Sequence, residues 1–390
     1  MTEKARVRKI LIVAAEASSC LYAQRLLQYW KKHDTPVEAY GVGDQAMAAE
    51  GFECLGRAEE LAVVGLQEVL KHWGQISQVY YDLLDAAEVR RPDVVLLLDY
   101  PGFNLRLAKE IKAMNIPVVY YISPQLWAWR QGRVKTVQKY IDKMLVIFPF
   151  EIEFYNQHGV QAEFVGHPLL DELDPQHFDP VSRARHRARY GLGPDDVVLG
   201  LMPGSRHSEI KHHLHTQLQA ARELFVKNPS LKIALFVAPS FRKEQAQGWL
   251  SDLDFPLMLI KDEPFSMIDL ADVVLCASGT ATLMVGLLEK PMVIMYKMNR
   301  LSSFFAKRFV KNTRHFGLIN LVLDDRVVPE LFQEQADVPH LVRELEPLIS
   351  DRGLRDKFTL SLRPAKDRLG SKGATERVAQ ALESYWRGTP

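Results

Sequence analysis

A carboxylate that ends an apolar run asks for a chemical explanation, and Asp99 does so in "VVLLLDYPGFN". Val94 to Leu98 read as a buried strand, and the residue at the carboxyl end of a parallel strand faces the crevice where open sheets bind ligands. A lone acid there can take a proton from a bound hydroxyl; it can equally cap the next helix or pair with a lysine. Pro101-Gly102 turns the chain, so Asn104 is expected to open the following helix as its N-cap. Two further turns suit an anion. Gly204-Ser205-Arg206 in "LMPGSRHSEI" and Ser278-Gly279-Thr280 in "LCASGTATLM" each stand between an expected strand and an expected helix. Unpaired N–H groups and the positive helix end attract phosphate at such places, and Arg206 adds a forked donor. One small-residue turn says little, whereas two in one half of the chain point to a phosphorylated ligand. Glu16 and Ser18 stand in a third turn of this kind, "AAEASSC", whose plainer reading is an ordinary turn capped by a serine.

Other groupings lead nowhere. Glu209, His212, His213 and His215 are close in "EIKHHLH", but neighbours at i+1 and i+2 do not share a helix face, so no metal is expected. Asp252 and Asp254 in "SDLDFP" precede a strand and read as a solvated turn. Two basic aromatic stretches suit a membrane surface or a phosphorylated amphiphile: "SPQLWAWRQGRVKTVQKYIDK", with Trp127, Trp129, Arg130 and Arg133, and "FFAKRFVKNTRHF". Core aromatics with solvated lysines would read the same way, and "LAVVGLQEVLKHW" is open to both readings.

The elements that must position these residues alternate. "KILIVAAE", "VEAYGVG", "DVVLLLD", "PVVYYIS", "KMLVIFPFE" and "AEFVGHP" are expected strands, interleaved with helical patterns such as "SCLYAQRLLQYWKKH" and "LQEVLKHWGQISQVYYDLLDAAEV". After residues 171–196, rich in proline, aspartate and arginine and read as a connection with one short basic helix, the alternation resumes. "VVLGLMP", "KIALFVAP", "PLMLIKD", "DVVLCAS" and "PMVIMYK" are its strands. The fold class is α/β, with two doubly wound Rossmann-like parallel-sheet domains at 1–170 and 197–345 and a ligand cleft expected between them. Helices at 346–390 are expected to pack back across the domains. With 390 residues, 47% hydrophobic and 25% charged, two folded domains are ordinary, and a net charge of +1 argues against nucleic acid as a partner. Cys20, Cys54 and Cys276 have neither metal nor disulfide spacing, which fits a reducing cytoplasm. No run reaches the ~18 apolar residues of a membrane span, and the charged start lacks a signal peptide's apolar core.

Taken in order, "EASS", "EELAVVGLQEVL", "DYPGFN", "YYISPQLWAWRQGRV", "VGHPLLDEL", "LMPGSRHSEI", "ASGTATL" and "LINLVLDDRVVPELFQEQ" resemble the lipid-A-disaccharide synthase family over nearly the whole chain. The resemblance implies the two-domain GT-B glycosyltransferase fold and a peripheral enzyme on the cytoplasmic face of a Gram-negative inner membrane. It implies a UDP-2,3-diacylglucosamine donor, a 2,3-diacylglucosamine 1-phosphate acceptor, a β-1,6-linked product and UDP, with inversion and with neither metal nor cofactor. It makes Asp99 the base for the acceptor's 6-hydroxyl, sets Asn320 near the donor, and leaves Arg130 and Arg133 for the acceptor phosphate or for lipid headgroups. The family's first turn reads Gly-Glu-x-Ser-Gly-Asp; here Ala15, Ser19 and Cys20 replace the two glycines and the aspartate. Met284 stands where the family carries a glutamate, and a thioether cannot accept two ribose hydroxyls. The rival expectations are a UDP-sugar 2-epimerase and a non-catalytic UDP-sugar-binding protein.

Overall fold

A computed structural model describes residues 7–61, 73–127, 131–250, 253–298 and 315–386. Trp129, Arg130 and Asp252 lie outside the described residues, as do all but the end residues of "LAVVGLQEVLKHW" and "FFAKRFVKNTRHF". The chain divides into two compact units, Met1–Asp171 with Leu369–Pro390, and Glu172–Arg368.

The first unit holds β1 (Arg8–Ala14), β2 (Val37–Gly43), β3 (Glu53–Arg57), β4 (Val94–Leu98), β5 (Val118–Tyr121), β6 (Lys143–Val146) and β7 (Ala162–Phe164). They form one parallel sheet in the order β3-β2-β1-β4-β5-β6-β7. The second unit holds β8 (Val198–Met202), β9 (Lys232–Phe236), β10 (Met258–Ile260), β11 (Val273–Ala277), β12 (Met292–Tyr296) and β13 (Glu330–Phe332), again parallel, in the order β10-β9-β8-β11-β12-β13. All five residues of β4 and all five of β11 are buried, which is why these strands read as unbroken apolar runs rather than alternating ones. Each fully buried aliphatic side chain stabilises the sheet by ~1.5–3 kcal/mol.

In both sheets the strand order reverses once, between β1 and β4 and between β8 and β11. In open α/β sheets, ligands bind outside the carboxyl ends of the strands at such a reversal. The turn holding Glu16 follows β1 and Asp99 follows β4. Gly204–Arg206 follows β8 and Ser278–Thr280 follows β11. These four turns therefore stand at the two switch points, whereas Trp127 and Arg133 follow β5 and Asn320 lies in a short helix before β13.

Two strands escape the sequence pattern. β3 reads "ECLGR" with three exposed side chains, and β13 is three residues long and begins on Glu330. Both are edge strands, the first largely exposed and the second only three residues long and opening on a charged residue, so neither shows an apolar run.

The helix Ala17–Lys32 turns Tyr22, Ala23, Leu26, Leu27 and Trp30 inward at three- and four-residue spacing. The C-terminal helix Ala374–Trp386 belongs to the same unit. Trp30 and Trp386 meet at 5.3 Å between ring centroids, and the Trp30 indole donates to Glu383 at 3.2 Å. Asp171 accepts from the Gly373 and Thr375 amides at the start of that helix. In the second unit, the basic helix Pro180–Ala188 is capped by Asp179 and fixed by Arg187, which is 4% exposed. Arg187 donates to the Leu270, Gly193 and Asp196 carbonyls and pairs with Asp272 at 3.0 Å.

Candidate active site

Asp99 and Tyr100 both take φ 45°, the left-handed region that costs an ordinary residue about 1–2 kcal/mol. Surrounding groups hold this strained pair. The Asp99 amide donates to Tyr121 at 3.2 Å, and its carbonyl accepts from the buried Tyr120 hydroxyl and from Asn104 Nδ2 at 2.8 Å. Asn104 Nδ2 also reaches the Leu98 carbonyl at 3.1 Å, and the Tyr100 hydroxyl donates to Leu61 at 2.7 Å. Asn104 is therefore not the helix cap expected from the sequence. The helix begins at Pro101 behind Tyr100, and Asn104, wholly buried in its first turn, ties that turn back onto the Asp99 backbone. These bonds fix the Asp99 backbone at the end of β4, with the residue half-buried.

Other candidates gather around it. Burial first, and the Asp99 charge second, push the Tyr120 phenol well above its usual value, while Arg133 opposes the shift. Asp99 and Arg133 therefore both act on one hydroxyl. Burial and the Glu16 charge raise the Tyr100 phenol in the same way, which brings Glu16 to the neighbouring residue. Ser18 is exposed in the first helical turn after β1, but the N-cap is Glu16, so the serine-cap reading does not hold. Cys20, at the position of the family's aspartate, is buried; its thiol donates to the Ala14 carbonyl at 3.4 Å, and burial pushes it up to about 12. It offers no charge to a ligand.

Trp127 is half-buried, its ring edge-on to Phe150 at 5.0 Å between centroids, so that side of the indole is committed to protein rather than lipid. Beneath it lies Glu151, 1% exposed, which accepts from the Ser123 hydroxyl and from the Phe148 amide at 3.1 Å. Burial raises its carboxyl from 4.5 to about 7 despite those hydrogen bonds. As pH rises the unfolded chain ionises first, so folded stability falls between the two values and levels off above the upper one. Glu151→Gln is expected to remove this slope, leaving the wild type ~2–3 kcal/mol less stable at pH 8 than at pH 5 when other groups are cancelled against the variant. Denaturant unfolding at the two pH values measures the difference; parallel slopes contradict the assignment.

In the second unit Gly204 sits at φ 128°, and a Cβ there would lie 2.4 Å from Glu209 Oε2, so only glycine fits. That same oxygen accepts from the Ser205 amide at 2.8 Å and the Arg206 amide at 3.3 Å. The amides expected to stand open to an anion already hold one, because Glu209, one turn into the helix His207–Lys227, folds back as its capping carboxylate. The Arg206 side chain is exposed at this turn. His213 is wholly buried in this helix. Nδ1 faces the Pro203 carbonyl at 2.8 Å, and Nε2 accepts from the Lys297 amide at 3.0 Å. Burial lowers its pKa, in keeping with a neutral ring that fastens the turn after β8 to the end of β12.

Gly279 opens the helix Thr280–Leu287 at φ 151°, again a glycine position, with Thr280 exposed beside it. Ser278 Oγ donates to the Phe316 carbonyl at 3.2 Å, and Met284 is half-buried one turn into the helix. Asn320 is wholly buried, its amide bonded to Val328 and Glu330. Asp254 forms an exposed ion pair with Arg222 at 2.5 Å. Among the described residues no three His, Cys, Asp or Glu side chains gather as a metal site.

The chain is 38% identical over 374 residues to the lipid-A-disaccharide synthase of Trichlorobacter lovleyi, covering 96% of each. It is 37% identical over 372 residues to that of Geobacter metallireducens, covering 95% of this chain and 96% of the relative. Among solved structures it resembles the UDP-GlcNAc 2-epimerase from Neisseria meningitidis bound to UDP-GlcNAc, with a TM-score of 0.64 and 14% identity over 96% of this chain and all of that one. It also resembles the calicheamicin glycosyltransferase CalG4, with a TM-score of 0.58 and 16% identity over 99% of this chain and all of that one. These structural likenesses establish the shared GT-B fold. The family described as lipid-A-disaccharide synthetase matches residues 10–382, and the chain belongs to it.

Proposed function

We propose that this glycosyltransferase moves 2,3-diacylglucosamine from UDP to 2,3-diacylglucosamine 1-phosphate, the first unit receiving the acceptor and the second holding the donor. The observation that carries the reading is Asp99, held half-buried in a strained turn at the switch point of the first sheet. Its carboxylate takes the proton from the acceptor's 6-hydroxyl as that oxygen bonds to C1 of the donor sugar. The bond from C1 to the diphosphate oxygen breaks in the same displacement, which inverts the anomeric centre and yields the β-1,6 linkage. The electron pair leaves on UDP, where Arg206 and the turn Ser278-Gly279-Thr280 meet the growing charge. Glu16 and Ser18 border the sugar, and Arg133, with Arg130, takes the acceptor phosphate.

The experiment supplies acylated donor in detergent with and without acceptor. Acceptor-dependent UDP and disaccharide support the reading; donor epimerised at C2, or UDP released without acceptor, contradicts it.

We propose further that the enzyme works peripherally at the cytoplasmic face of the inner membrane. No described helix is long and apolar enough to cross a membrane, whereas Trp127, Trp129, Arg130 and Arg133 suit an anionic surface. Sedimentation with anionic liposomes is expected to retain the protein at low salt and release it at high salt, as screened charges lose their attraction. Retention that ignores salt contradicts a headgroup contact of this kind.

A further inference from the structure

The resemblance sets Asn320 beside the donor, yet its amide is spent inside the protein. Oδ1 accepts from the Val328 amide at 2.9 Å, and Nδ2 donates to the Val328 carbonyl and to Glu330 Oε1, each at 2.8 Å. Glu330, the first residue of β13, is 7% exposed. Its Oε1 also accepts from the Gly317 amide at 2.8 Å, and its Oε2 from the Phe316 amide at 2.9 Å. A carboxylate accepts only, and all three donors here are N–H groups: one from Asn320, two from the backbone of a short strap. A Cβ at Gly317 would lie 2.5 Å from Ile294 Cδ1 and 3.0 Å from the Glu330 oxygen, so a larger residue in that strap would have to push both side chains aside.

The strap reaches the turn after β11 and, on its other side, the aromatic stack that leads to the end of β12. The Phe316 carbonyl accepts from Ser278 Oγ at 3.2 Å, which anchors the turn after β11. The Phe316 ring stacks on Phe332 at 4.9 Å between centroids and 8° between planes, and Phe332 stacks on Tyr296 at 6.0 Å and 20°.

We propose that Glu330 is a positioning residue for donor binding, and that Asn320 acts on the nucleotide only through it, by way of the Phe316-Gly317 strap and Ser278. The proposal rests on the reading of the two turns as the UDP site. Glutamine at 330 has one carbonyl oxygen for three donors and sets its own N–H groups against the rest, so the strap loses its grip without a change of size.

UDP affinity of the full chain is measured by calorimetry for the wild type, Asn320→Ala, Glu330→Gln and the double variant. Each single change is expected to weaken binding about tenfold and the double change no further, because both break one linked network. Turnover at saturating donor is expected to stay within about threefold and the acceptor KM to stay unchanged, since positioning of the donor alone is lost. If Glu330→Gln does not fold, Glu330→Asp, which keeps the charge but withdraws it by one methylene, completes the same cycle. Losses that multiply to about a hundredfold mean that Asn320 touches the nucleotide itself and overturn the inference, as do single variants with wild-type affinity. A wild type that binds no UDP overturns the reading of the turns as well.

Discussion

Asp99→Asn is expected to slow turnover by ~10²–10⁴-fold while leaving UDP affinity unchanged. Asparagine keeps the size of the side chain and removes its capacity to accept a proton. It is also among the few residues at ease in the left-handed region, so the turn at φ 45° survives the change and the Tyr120 and Asn104 hydrogen bonds to the residue-99 carbonyl remain. Loss of rate therefore reports chemistry rather than refolding of the turn. Kinetics with saturating acylated donor and acceptor, with UDP calorimetry beside them, test this; unaltered turnover removes Asp99 from the mechanism.

Arg206→Ala is expected to weaken UDP binding by about 10–100-fold, the range of a lost charge-assisted hydrogen bond to phosphate. The effect is large because of what remains. With the guanidinium gone, Glu209 still occupies the Ser205 and Arg206 amides, and an incoming diphosphate meets a carboxylate without the neighbouring cation. The helix itself keeps its capping acid, so the melting temperature should hold. Calorimetry giving wild-type affinity contradicts the assignment of Arg206 to the phosphates.

The two sheets were legible because buried parallel strands carry their signal locally. β1, β4 and β11 carry unbroken apolar runs and β8 one broken only by Gly200, so the turns after these strands, which flank the switch points, could be placed from sequence. β3 and β13 were not legible, since an edge strand needs neither two apolar faces nor length. The same distinction holds for side chains. Asp99 and Gly204 announce themselves by type and position, but His213 acts on Lys297 across 84 residues, and Tyr120 on Asp99 across 21. No spacing rule anticipates a bond set by the arrangement of neighbouring strands. Asn104 as an N-cap and the amides after β8 as open to an anion are expectations that fail, and for a more local reason. A polar residue in the first turn of a helix can face the ligand or fold back on the backbone, and here Asn104 and Glu209 both fold back. The family departures also acquire a physical setting, since Ala15, Ser19 and Cys20 are all buried, and their side chains fill protein rather than face a ligand.

The most direct test of base-assisted transfer compares the natural acceptor with its 6-deoxy analogue at saturating donor. If Asp99 deprotonates the 6-hydroxyl as UDP departs, the analogue occupies the acceptor site and inhibits, yet UDP release stays at the rate seen with donor alone. UDP released as fast with the 6-deoxy acceptor as with the natural one contradicts the account.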